Sequence, residues 1–105
     1  MKWNNTKTDD LIGAIIQLRS KAEAKRFFRD LLTEDELIEF GNRWLAARLL
    51  ARGVPYTKIA ARTHLSSRTI ARVSKWLNQG EDGYKLMLGR LSHHAHSNPV
   101  RKGVV

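Results

Sequence analysis

Between Thr33 and Gly53 the sequence carries two apolar stripes at helical spacing. Leu37, Phe40, Trp44, Ala47 and Ala51 form one, and Ile38, Leu45 and Leu49 form the other. One stripe lets a helix lie on a core; two mean that it needs neighbours on more than one side. This segment is the expected spine of an all-α fold, a small multi-helix domain gathered round one long helix. Thr33-Glu34-Asp35-Glu36 is a capping box at its start, where the hydroxyl and the carboxylate three residues on each take a free amide donor.

Upstream, Leu11, Ile12, Ile15, Ile16 and Leu18 repeat at helical spacing behind Asp9 and Asp10, whose charge suits a helix N-terminus. Ser20-Lys21-Ala22-Glu23 is a second capping box. The helix it opens should turn Ala24, Phe27, Phe28 and Leu31 inward and Lys21, Lys25, Arg26 and Arg29 outward. Downstream, Pro55 suits the first turn of a helix, where a missing N–H costs nothing. Ser66 to Asn78 reads as another helix, stopped by Gly80. Asp82 can cap a short last one holding Tyr84, Leu86, Met87, Leu88 and Leu91. Beyond Ser92 the periodicity ends, so 1–92 is expected to be a single domain and 93–105, with Pro99 and Gly103, a mobile tail. A chain of 105 residues has room for one such domain, and pairing with a second copy would enlarge its modest core.

Nineteen Lys and Arg stand against ten Asp and Glu, a formal charge of +9. That excess draws polyanions, either nucleic acid or an anionic membrane face. The absence of cysteine excludes a disulfide framework and a thiolate metal site. Met1 to Asp10 lacks the apolar core of a signal peptide, and the apolar runs fall far short of the ~20 residues of a membrane span. A cytoplasmic, nucleoid-associated protein is expected.

The stretch from Pro55 to Leu77 narrows the reading to a helix-turn-helix spanning 55–78. Two short helices that cross at a wide angle need a small residue at their closest approach, and Ala60 supplies it. Ile59, Leu65, Ile70, Val73 and Leu77 provide the apolar faces, and Ser66 is a good N-cap for the second helix. His64 occupies the turn position often held by glycine, where a left-handed backbone costs a non-glycine residue roughly 1–2 kcal/mol. The outer side of the second helix then presents Ser67, Arg68, Thr69, Arg72 and Lys75, residue types that reach base edges and phosphates. Ser67, Arg68, Thr69 and, one turn on, Arg72 are the candidate base contacts. Lys58, Arg62 and Lys75 are the candidate phosphate contacts, with duplex DNA as partner.

From Leu32 to Leu91 the chain resembles the Trp-repressor-like family, in its YerC/YecD branch. The residues that carry the resemblance are Leu32-Thr33-Glu34-Asp35-Glu36, Gly41-Asn42-Arg43, Ala47 to Gly53 and Ser67-Arg68-Thr69-Ile70-Ala71-Arg72-Val73, with Gly83-Tyr84-Lys85-Leu86 pointing to the branch. The resemblance implies an intertwined homodimer that regulates transcription, docked by a geometry for which Trp repressor itself is a reference case. It also implies an effector pocket, since Thr33, Arg43 and Arg72 match positions that hold tryptophan in the repressor. Two departures add bulk where the indole would lie: Val73 replaces a glycine and Trp76 a serine. Trp76 is therefore expected to fill that space, Arg43 to make a structural contact, and no cofactor to be required.

Other signals have plainer readings. His93, His94 and His96 have no carboxylate or thiol beside them to complete a metal site. Glu34, Asp35, Glu36 and Glu39 suit a helix start, and Trp3, Trp44 and Trp76 read as packing anchors. No nucleophile–base set or phosphate loop occurs, so an enzyme is not expected. The charge and size also fit an RNA-binding or ribosome-associated protein, or the DNA-binding subunit of a transposase. The lack of paired aromatics for stacking single-stranded bases weighs against RNA.

Overall fold

A computed structural model describes residues 4–96 of the chain, with side chains as far as residue 92. Among the described residues there are six helices and no strand: α1 (Thr6–Ile15), α2 (Lys21–Leu31), α3 (Glu34–Ala51), α4 (Tyr56–Thr63), α5 (Ser67–Gln79) and α6 (Gly83–His96). Two compact units divide the chain, one up to Ile38 and one from Glu39 on.

In the first unit the helix starts follow the sequence closely. Asn5 caps α1, its side-chain oxygen accepting from the Thr8 amide at 2.8 Å. Ser20 caps α2 by accepting from the Glu23 amide at 3.1 Å. The return bond of this box goes one residue further back than expected, because the Glu23 carboxylate takes the amide of Arg19 at 2.9 Å. At the start of α3 the box closes in both directions: Thr33 Oγ1 accepts from the Glu36 amide and Glu36 Oε1 accepts from the Thr33 amide. Phe27 and Phe28 sit tilted against each other, ring centres 5.6 Å apart. Yet neither α1 nor α2 buries a single residue. Leu31, expected to point inward, is 44% exposed, and Ile16 is 72% exposed.

The second unit closes a core. Ala46, Ala47, Leu49, Ile59, Leu65, Ile70 and Val73 form one buried cluster, with Trp44, Leu45, Leu50, Val54, Ala60 and Tyr84 packed on its margin. Its centre is dry, with Ile59, Ile70 and Val73 at 0% exposure. Burying such side chains contributes about 1.5–3 kcal/mol each. α3 ends in a Schellman motif: the Val54 amide donates to the Leu49 carbonyl and the Gly53 amide to that of Leu50, both at 3.0 Å. Gly53 makes this possible with φ +79°, a left-handed backbone that glycine adopts without strain. Pro55 stands just outside α4 as its N-cap rather than in its first turn, in extended backbone, and its carbonyl accepts from Lys58 and Ile59. Gly80 ends α5, where a Cβ would come within 2.5 Å of the Trp76 carbonyl oxygen.

The last helix differs most from expectation. It is 14 residues long and its backbone stays helical through His93, His94 and His96, four residues past the point where the apolar pattern stops. Asp82 precedes it in left-handed backbone, φ 66°, with its carbonyl accepting from the Leu86 amide. The remainder of the expected tail, 97–105, lies outside the described residues, as do Trp3 and the three histidine side chains.

Candidate nucleic-acid interface

The turn between α4 and α5 is held by a polar device inside an apolar core. Thr63, the last residue of α4, is 1% exposed. Its hydroxyl donates to the Ile59 carbonyl at 2.8 Å and accepts from the Leu65 amide at 3.2 Å. Both capacities of a buried hydroxyl are thereby used, as burial requires. His64 follows in left-handed backbone, φ 59° and ψ 16°, its amide donating to the Ala60 carbonyl at 2.8 Å. The conformation expected of this position is present, and Thr63 helps to hold it. Sequence reading missed Thr63; the signal available was a hydroxyl immediately before the turn.

Ser66 then caps α5 by accepting from the Thr69 amide at 3.1 Å, and its own hydroxyl donates to Thr69 Oγ1 at 3.1 Å. The helix turns Ile70, Val73 and Leu77 into the core. Ser67, Arg68, Arg72 and Lys75 are exposed, and Thr69 is half-buried beside its cap. On α4, Lys58 and Arg62 are exposed as well. All seven proposed contact residues therefore lie in this pair of helices, and six of them face solvent. The surrounding charge is one-sided. Between Glu39 and Glu81 the sequence has eight Lys or Arg and not one Asp or Glu.

The effector residues meet different fates. Thr33 is engaged as the N-cap of α3. Arg43 is tied to Glu39 one turn back, Nε at 3.1 Å and Nη2 at 3.0 Å from the same carboxylate oxygen. Arg72 is exposed. Val73 is wholly within the core, so its bulk serves packing. Trp76, read as a space-filling anchor, is 46% exposed. The reason is its place on the helix: it falls about 100° from Leu77, on the flank of the face that the core covers.

Trp44 does behave as an anchor, stacking on Tyr84 with ring centres 6.2 Å apart and planes at 24°. Burial pushes the Tyr84 phenol above its ordinary pKa, and the nearby Arg43 guanidinium offsets part of that rise. Beside this stack, α3 and α6 line a cavity of about 590 Å³ with Trp44, Arg48, Ala51, Arg52, Leu88, Leu91 and Ser92.

The family model for the Trp repressor protein matches residues 6–92. This chain belongs to the Trp repressor family. It is 38% identical over 90 residues to the uncharacterized protein YerC of Bacillus subtilis (strain 168), covering 86% of each chain. Solved structures agree. A TrpR-like protein from Eubacterium eligens superposes with a TM-score of 0.82 at 34% identity, covering 86% of this chain and 93% of that one. A candidate Trp repressor from Staphylococcus aureus gives 0.81 at 30%, covering 88% and 95%. The all-α fold and the YerC resemblance read from the sequence both stand. No helix among the described residues is long and apolar enough to cross a membrane.

Proposed function

We propose that this protein binds duplex DNA in a sequence-dependent way through α4 and α5 and regulates transcription from within the cytoplasm. One observation carries the reading: α5 starts at a capped, tightly held turn and presents an exposed basic face without a carboxylate. An α-helix of this kind fits the major groove, its first turn nearest the base edges. Ser67, Arg68, Thr69 and Arg72 are the base readers, and Lys58, Arg62 and Lys75 neutralise phosphates. Family membership supports the same reading.

The acting species is a homodimer. The exposed apolar residues of α1 and α2, which bury none fully, and the cleft between α3 and α6 support this, since large exposed apolar surface marks an interaction site. In a dimer the two copies of α5 would enter successive major grooves ~34 Å apart. Light scattering at micromolar concentration should give twice the chain mass; the mass of one chain would refute the assembly.

Competition binding tests the partner. Duplex DNA should displace labelled duplex far better than structured RNA or single strands do. Affinity should fall by about three to five decades between roughly 50 and 200 mM salt if about six to ten phosphates are contacted. Preference for RNA, or a flat salt response, would contradict the reading.

A further inference from the structure

The indole of Trp76 is the one large aromatic surface that α5 leaves open, 46% exposed on an otherwise cationic helix. Its angular position gives it a use. At about 100° per residue, Lys75 and Gln79 fall within about 20° of Arg68, and Arg72 lies about 40° to one side. Trp76 lies about 80° to that same side, between the basic face and the core positions Ile70, Val73 and Leu77. It also stands eight residues beyond Arg68, about 12 Å along the axis. Side chains in line with Arg68 point at whatever α5 docks against; a flank residue two turns on meets the wall of that groove instead.

We propose that Trp76 is a DNA-contacting residue that packs its indole on the deoxyribose-phosphate wall of the major groove, with the ring N–H donating to a phosphate oxygen. The proposal rests on the DNA-binding reading above and adds a kind of contact that the basic residues cannot make. The chemistry suits the wall: a sugar offers apolar C–H surface beside an anionic acceptor, and an indole offers a broad apolar face with a single donor at its edge. Charge complementarity selects DNA as the occupant over another apolar surface. Arg68, Arg72 and Lys75 are exposed on the face of α5 next to Trp76, Lys58 and Arg62 are exposed on α4, and no carboxylate lies between Glu39 and Glu81.

A neutral contact to the backbone leaves a signature that a cation does not. Trp76→Ala should weaken duplex binding about two- to tenfold, the range of one net hydrogen bond with partial burial. The loss should be equal on preferred and random sequences, and the slope of log affinity against log salt should stay unchanged. Arg72→Ala, measured alongside, should lower that slope by about one if it meets a phosphate, or relax base preference if it reads a base. Trp76→Phe keeps the ring and loses the donor, so it should fall between wild type and Trp76→Ala. Acrylamide quenching of the emission lost in Trp76→Phe should be strong in the free protein and weak with duplex bound.

Wild-type affinity in Trp76→Ala, a changed salt slope, or indole emission already shielded before DNA is added would each overturn the proposal. A drop of Trp76→Ala to the mass of one chain would assign the ring to a second copy and overturn it too. If the wild-type protein fails to bind any duplex, the DNA-binding reading falls and this inference with it. Binding by the wild type with no effect of Trp76 removes the inference alone.

Discussion

From Glu39 on, α3, α4 and α5 bury a continuous cluster in which Ile59, Ile70 and Val73 are wholly shielded, with Tyr84 of α6 on its margin; up to Ile38, α1 and α2 bury nothing. The helix starts do not explain the difference, since Asn5, Ser20 and Thr33 cap the first unit as well as Ser66 caps α5. Nor does apolar content, because Leu11, Ile12, Ile16 and Leu31 are available. What differs is a covering neighbour. Caps and propensity start a helix, but tertiary packing of its apolar face supplies most of its stability. The second unit has that packing within one chain; for the first, the homodimer proposed above would supply it.

The largest effect should follow from opening the closed core. Ile70→Ala should cost about 2–5 kcal/mol in denaturant unfolding, by lost burial and the cavity left behind. Ile16→Ala, at the C-cap of α1, should behave differently. Its destabilisation should appear as a midpoint that depends on protein concentration, because it acts through association. If Ile16→Ala proves independent of concentration, the contrast between the units is wrong.

Next in size is Thr63→Val, which keeps shape but leaves the Leu65 amide without its acceptor inside the core; about 1–3 kcal/mol should be lost. The exposed counterpart, Thr33→Val, removes an N-cap that solvent can partly replace, at about 0.5–2 kcal/mol. Equal losses at the two threonines would blur the distinction between a buried turn and a surface cap. Both are read from chemical unfolding monitored by circular dichroism.

The second unit was legible in the sequence because its periodic positions have partners within the chain. Ile59, Leu65, Ile70, Val73 and Leu77 were all expected in the core, and all are buried. Leu31 was expected inward on the same kind of pattern and is exposed, since periodicity names an apolar face without naming what covers it. Trp76 is half-exposed within one chain, because its helical phase puts it on a flank of the covered face. Thr63 escaped notice because a buried hydroxyl leaves no mark in hydrophobic patterning. The end of α6 was missed because His93 to His96 carry no apolar stripe, yet the backbone continues helical. For the contact residues, sequence supplied the face and residue types, and the fold adds their exposure on two adjoining helices.

The smallest effect concerns pH. Burial raises the Tyr84 pKa above its ordinary value near 10. Below that value both folded and unfolded chains hold the proton and the stabilisation is complete. As pH rises past it, the unfolded chain loses its proton first, so stability falls until the folded phenol ionises too. Tyr84→Phe should flatten that alkaline decline in thermal unfolding curves.

The central claim is that the N-terminal turns of α5 read bases while α4 meets phosphates, and Arg68 against Lys58 tests it most directly. Each alanine variant, first verified as helical by circular dichroism, is used to select sites from a randomised duplex library beside the wild type. Arg68→Ala should lose about 1–3 kcal/mol on the preferred site and relax discrimination at one base pair. Lys58→Ala should weaken all sequences alike and lower the salt slope by about one. If Arg68→Ala keeps the wild-type sequence preference, Arg68 is not a base reader and α5 does not sit in the groove as described.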